Sequence, residues 1–151
     1  MEEIKIQIKR VREDIDSDIP LPRYMTKQSS GMDIYAAVDQ DVLIKPGERK
    51  LIPTGIAVAI PKGFEAQIRP RSGMAFKNGI GLVNSPGTID ADYRGEIGIM
   101  AINLGDEPFT IKRGERVAQM VINKVYHASF ELTEELDTTD RDSGGFGHTG
   151  R

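Results

Sequence analysis

The chain has no cysteine, so disulfide staples and thiolate metal sites are excluded, and a reducing compartment is the default expectation. It lacks any stretch of about 18 apolar residues, and "MEEIKIQIKR" has no apolar h-region, so neither a membrane span nor a secretory leader is expected. A cytoplasmic protein without a membrane partner follows as the expectation. Basic charge is also scarce: 20 Lys and Arg stand against 23 Asp and Glu, for a net charge of -3. That balance argues against a broad nucleic-acid surface, yet leaves room for a small basic pocket that takes one polyanionic molecule. A sustained 3.6-residue apolar period is missing too, so helices are expected to contribute at most one or two turns.

What is present is strand-length and punctuated. "IKIQIKRV" (Ile4 to Val11) alternates apolar and polar residues, and "LIPTGIAVAIP", "FEAQIRP", "GEIGIMAINLG", "FTIKRG" and "ERVAQMVINKVY" follow as further strand candidates. Sixteen glycines and eight prolines cut the chain into short pieces. Their spacing of roughly 8 to 12 residues predicts an all-β sandwich or barrel of jelly-roll type. The best helix candidate is "SGMAFKN" (Ser72 to Asn78), with Ser72 as N-cap and Gly79 as the stop. One domain is expected: a β body over 1–130 and a flexible arm over 131–151.

Five stretches carry more than a scaffold needs. In "SSGMDIYAA", Asp33 sits within a strand pattern where an acid is disfavoured, the plain reading being an edge carboxylate facing water. In "RPRSGMAFKNG", two arginines and Ser-Gly precede a helix start, which gives either an ordinary cap or the donors of a phosphate site. In "GLVNSPGTIDADYRGEIG", turn residues Asn84 to Gly87 predict a hairpin whose second arm carries Asp90, Asp92, Tyr93, Arg94 and Glu96. Were that arm extended, Asp90 and Asp92 would share a face and Tyr93 would fall on the other unless a bulge intervened. The hairpin is either solvated surface or a clamp for a planar base. "RVAQMVI" places Arg116 and Gln119 in an apolar strand. The terminal "RDSGGFGHTGR" has glycine at 144, 145, 147 and 150 around a lone Phe146. Composition alone reads as disorder; the aromatic ring and the donors beside it read as a lid.

Together, "GMDIYAA", "PRSGMA", "GTIDADYRGEI", "RVAQMVI" and "RDSGGFGHTG" closely resemble, in order, the five motifs of the trimeric dUTP pyrophosphatases (dUTPases). The resemblance implies hydrolysis of dUTP to dUMP and pyrophosphate by water attack at the α-phosphorus, limiting uracil in DNA and supplying dUMP for thymidylate. It implies Asp90 as the base for that water, and Asp33 as the acid that helps hold Mg²⁺, mainly through water, while the triphosphate carries the metal. Arg71, Ser72, Gly73 and Gln119 match phosphate ligands, and Asn84, Thr88, Ile89 and Gly98 match the uracil-reading hairpin. Tyr93 matches the ring that packs on deoxyribose and excludes a 2′-hydroxyl. Arg141, Phe146, Gly147, His148 and Thr149 match the closing arm. A homotrimer with active sites shared between three chains is implied as well. Asp142 and His148 depart from the family pattern, which has glycine and serine there more often. Two rival readings are a dCTP deaminase or bifunctional deaminase, with Glu96 as its acid/base candidate, and a non-catalytic regulatory or structural jelly-roll protein.

Overall fold

The protein is described from a computed structural model, over residues 3–147 and residue 150. Its elements are β1 (Gln7–Arg10), α1 (Glu13–Asp16), β2 (Arg23–Tyr24), β3 (Gly31–Tyr35), β4 (Val42–Ile44), β5 (Arg49–Pro53) and β6 (Ile56–Ala59). There follow β7 (Phe64–Arg69), α2 (Ser72–Asn78), β8 (Ile80–Leu82), β9 (Gly87–Ile89), β10 (Gly98–Asn103), β11 (Phe109–Ile111) and β12 (Arg116–Lys124). The all-β expectation therefore holds, with two short helices, of which α1 was not foreseen.

All the ladders are antiparallel. The largest sheet runs β2-β3-β12-β7-β9, a second runs β5-β10-β8, and the pairs β1-β6 and β11-β4 complete the body. Every one of these sheets feeds one apolar cluster in which isoleucine dominates, with Ile34, Ile44, Ile52, Ile97, Ile99 and Ile111 almost fully buried. Isoleucine suits both demands at once: its β-branch fits a pleated surface, and each side chain buried contributes about 1.5–3 kcal/mol. The buried Asn103 is matched rather than orphaned. Its amide donates to the carbonyls of Ile44 (2.9 Å) and Glu107 (2.8 Å), and its Oδ1 accepts from Gly105 N–H.

Helix α2 keeps its expected bounds, but its N-cap is Arg71, in an extended conformation and without a side-chain cap bond, rather than Ser72. Its end is as expected. Gly79 takes φ 69° and returns its N–H to Ala75 and Met74, and a Cβ there would lie 2.6 Å from the Cα of Gly105. At the other end of the chain, α1 is held by charge. Asp16, 1% exposed, is gripped by Arg12 (2.9 Å) and Arg113 (3.0 Å), which also bind Asp39 and Asp18.

After Lys124 regular structure stops among the described residues. Tyr126, Phe130, Leu132 and Leu136 are exposed there, all at even-numbered positions. No helix of the described residues is long and apolar enough to cross a membrane.

Candidate active site

The predicted hairpin is corrected by the pairing. The two arms flanking Asn84 to Pro86 do not bond to each other: β8 pairs with β10, and β9 pairs with β7 in the other sheet. Because the arms part into different sheets, a cleft of about 320 Å³ opens between them. Asn84, Thr88, Ile89, Asp90, Tyr93 and Gly98 all line it. Six residues singled out in the sequence thus share one concave surface.

The extended second arm is corrected as well. The chain turns at Ala91 and Asp92, with Tyr93 N–H donating to the Asp90 carbonyl at 3.1 Å. This turn, not a bulge, brings Tyr93 to the same cleft as Asp90. Gly98 is close-packed as expected of a glycine on the return strand, though against a side chain: a Cβ there would meet Leu51 Cδ1 at 2.7 Å. Sequence reasoning missed Leu51 and Met100, which line the cleft from paired positions of β5 and β10. The period-two spacing of Gly98 and Met100 on β10 was the available signal. Glu96 also lines the cleft, but its carboxylate is engaged, accepting the Gly55 N–H at 2.8 Å.

A second group gathers where β3, β12 and β7 lie side by side. In register, Asp33 faces Gln119 and Gln119 faces Arg69. Asp33 is 13% exposed, and each of its oxygens takes one guanidinium: Arg71 Nε at 3.1 Å on Oδ1 and Arg116 Nη1 at 3.1 Å on Oδ2. Arg71 also donates to the Arg116 carbonyl at 3.3 Å, and Gln119 Nε2 donates to the Pro70 carbonyl at 2.9 Å. Asp33 is thereby a brace for two arginines at the foot of α2, where Ser72 and Gly73 are exposed. Arg116 as the second braced cation was missed, since its partner lies 83 residues away. None of Asp33, Arg71, Ser72, Gly73 or Gln119 lines the cleft.

Among the described residues no three His, Cys, Asp or Glu side chains gather to hold a metal. Magnesium commonly keeps several waters and binds through one or two carboxylates plus substrate phosphates. Each Asp33 oxygen retains a lone pair beyond its guanidinium bond. The donor set therefore fits a hydrated ion carried by a polyphosphate and does not fit a resident one.

The tail contributes a third group. Arg141 Nε donates to the Gly144 carbonyl at 2.7 Å, Asp142 sits at φ 44° with its N–H on Thr139, and Phe146 is fully exposed at φ 48°. Gly147 follows at φ 89°. His148 and Thr149 lie outside the described residues. Arg141 and Phe146 line neither the cleft nor the arginine brace.

A protein-family model described as dUTPase matches residues 17–150. The deoxyuridine 5′-triphosphate nucleotidohydrolase of Syntrophotalea carbinolica is 56% identical over 150 residues, covering 99% of each chain. That of Ehrlichia canis is 59% identical over 136 residues, covering 89% of each. Among solved structures, the Staphylococcus bacteriophage 80alpha dUTPase with dUPNHPP superposes with a TM-score of 0.85 at 26% identity, over 97% of this chain and 99% of that one. A mutant dUTPase of phage phi11 of S. aureus, studied for the coordination of a structural Mg(II) ion, matches in fold with a TM-score of 0.76 at 24% identity. It covers 87% of this chain and 98% of that one.

Proposed function

The chain belongs to the dUTPase family and is a hydrolase acting on dUTP, and from that premise we propose how its residues divide the reaction. The observation that carries the reading is the cleft between β8 and β9, which gathers Asn84, Thr88, Ile89, Asp90, Tyr93 and Gly98 around one volume. Its size suits a nucleoside rather than a whole nucleotide. The backbone and Asn84 read the uracil edge, and cytosine is rejected because its exocyclic amine would leave buried groups unpaired. Leu51 and Gly98 leave no room for a methyl at the base's C5. Tyr93 packs on the deoxyribose.

Asp90 holds and deprotonates the attacking water. The water oxygen forms a bond to the α-phosphorus, the bond from that phosphorus to the oxygen bridging to the β-phosphorus breaks, and the proton passes to the Asp90 carboxylate. The products are dUMP and pyrophosphate. Arg71, Ser72, Gly73 and Gln119 receive the phosphates, with Arg71 held for that task by Asp33. Asp33 would hold, through water, the magnesium that the triphosphate brings, and the ion would neutralise charge along the phosphates. The bacteriophage 80alpha enzyme, solved with dUPNHPP, supports a triphosphate analogue as the right ligand class.

We propose further that the site is completed in a homotrimer. The cleft group and the arginine group do not share a surface within one chain, while Phe130 and Leu132 stand 98% and 100% exposed. Tyr126, Ala128, Phe130 and Leu132 alternate with polar residues, the pattern of a strand that lacks a partner. A neighbouring subunit gives that stretch a surface and brings the arginines of one chain to the cleft of another. The arm from Arg141 through Phe146, Gly147, His148 and Thr149 then covers base and phosphates. We assign the protein to the cytoplasm, as its cysteine-free chain suits a reducing compartment.

The deaminase alternative needs Glu96 free for acid/base work, and its carboxylate is committed to Gly55. The test is pyrophosphate release from dUTP, with dTTP, dCTP and UTP as controls, and ammonia release from dCTP. Wild type should strongly prefer dUTP over the three controls, and Asp90→Asn should lose about 10²- to 10⁴-fold in kcat. Full activity in Asp90→Asn, or ammonia from dCTP, would overturn the reading.

A further inference from the structure

Tyr93 does not hang freely at the mouth of the cleft. Its hydroxyl donates to the Glu96 carbonyl at 2.9 Å, folding the ring back over Gly95, where a Cβ would lie 2.6 Å from Tyr93 Cζ. Residue 95 therefore has to be glycine for the ring to occupy this place. Glu96, whose carbonyl receives that hydroxyl, is itself held from the opposite direction. Its Oε1 accepts the Gly55 N–H at 2.8 Å, Ile97 N–H donates to the Ile56 carbonyl at 2.9 Å, and the Thr54 hydroxyl donates to the Ile97 carbonyl. The loop from Asp90 to Glu96 has no strand partner of its own. Its foot is stapled instead to the turn between β5 and β6, and Glu96 is the only side chain of that loop in the staple.

We propose that Glu96 is a positioning residue for sugar discrimination: by tying its side chain to Gly55 and its carbonyl to Tyr93, it fixes the ring at the distance that admits deoxyribose and excludes a 2′-hydroxyl. The proposal rests on the reading of Tyr93 as the ring that packs on the sugar. Glu96 acts as a hydrogen-bond acceptor and transfers no proton, so its charge is not required. A glutamine offers the same acceptor oxygen to Gly55, whereas alanine leaves the amide without that partner and the loop without its anchor.

The experiment measures kcat/KM for dUTP and for UTP by pyrophosphate release, together with thermal midpoints, for wild type, Glu96→Ala, Glu96→Gln, Glu96→Asp, Gly95→Ala and Tyr93→Ala. A displacement of the ring by about 1 Å is enough to change rates roughly 10²-fold, so the dUTP-to-UTP preference should fall by about that factor in Glu96→Ala and in Gly95→Ala. Glu96→Gln should restore it. A general loss of fold would lower both substrates together and leave the ratio alone. Should Glu96→Ala not fold, Glu96→Asp carries the test, because its shorter side chain withdraws the acceptor from Gly55 and keeps the charge; the ratio should fall there too, and an unchanged ratio would overturn the proposal. An unchanged ratio in Glu96→Ala or Gly95→Ala, beside a lowered ratio in Tyr93→Ala, would overturn the positioning role and leave the sugar reading standing. An unchanged ratio in Tyr93→Ala would overturn both. Loss in Glu96→Gln equal to that in Glu96→Ala would show that the charge matters, and would overturn the proposal as well.

Discussion

The body up to Lys124 and the stretch that follows it place their large apolar side chains in opposite ways. In the body, each large apolar side chain of the core finds a partner sheet, and the cleft is lined before any ligand arrives. Beyond Lys124, Phe130, Leu132 and Phe146 meet solvent almost completely. On the proposed reading, the difference separates two tasks. Recognition of a base by hydrogen bonds needs groups fixed in advance, and exclusion of water after binding needs a piece that arrives late. A site with both properties has to draw on regions of unequal order.

That contrast can be broken deliberately. The largest effect is expected from Ile44→Ala, which removes a fully buried side chain from the core and should lower unfolding free energy by about 2–5 kcal/mol in a denaturant titration. Leu132→Ala, equal in the atoms it deletes but placed in the exposed stretch, should scarcely move the midpoint of dilute protein and should instead weaken association in sedimentation. An equally large loss of intrinsic stability from Leu132→Ala would erase the distinction. Deleting residues 141–151 should leave the thermal midpoint unchanged and reduce kcat/KM for dUTP roughly 10²-fold; a shortened chain of normal activity would return the tail to being a mere terminus.

The smallest effect concerns acid. The Arg12 hydrogen bonds hold the Asp39 carboxyl below its usual 3.8, and Arg113 does the same for Asp18. Since both folded values are depressed, the stabilisation they give is present above the unfolded value and is lost as pH falls through the folded one. The midpoint should therefore be flat above about pH 5 and decline below about pH 4. Asp39→Asn should make that decline shallower, and the arm deletion should leave its slope alone, because the network belongs wholly to the body.

Most of the fold was legible. The turns at Pro46-Gly47 and Pro61 to Gly63 bound strands whose alternation is local, and α2 ends where Gly79 must end it. What escaped was information that no short window contains. That β8 and β9 part company is decided by β10 and β7, so a turn signal promised a hairpin and the sheets made a cleft. The Asp33 brace joins residues 38 and 83 positions apart. A carboxylate in a strand pattern gives no hint of partners so distant. The Arg71 cap was hidden for another reason: Ser72 has the usual capping side chain, yet β7 and Pro70 carry Arg71 into the extended conformation one residue earlier. The alternation from Tyr126 to Leu132 is visible in the sequence, but a single chain holds no hint of what would cover it.

In the proposed trimer, the stretch from Tyr126 to Leu132 would also make the enzyme answerable to its own abundance. If each cleft is finished by a neighbour, occupancy of the assembled state follows mass action, and turnover per subunit falls with dilution even when substrate saturates. Apolar residues that look misplaced on one chain would then act as a counter of chains: a cell making few copies would hold less activity than their number suggests, and dUTP, by bridging subunits, would call its own enzyme together.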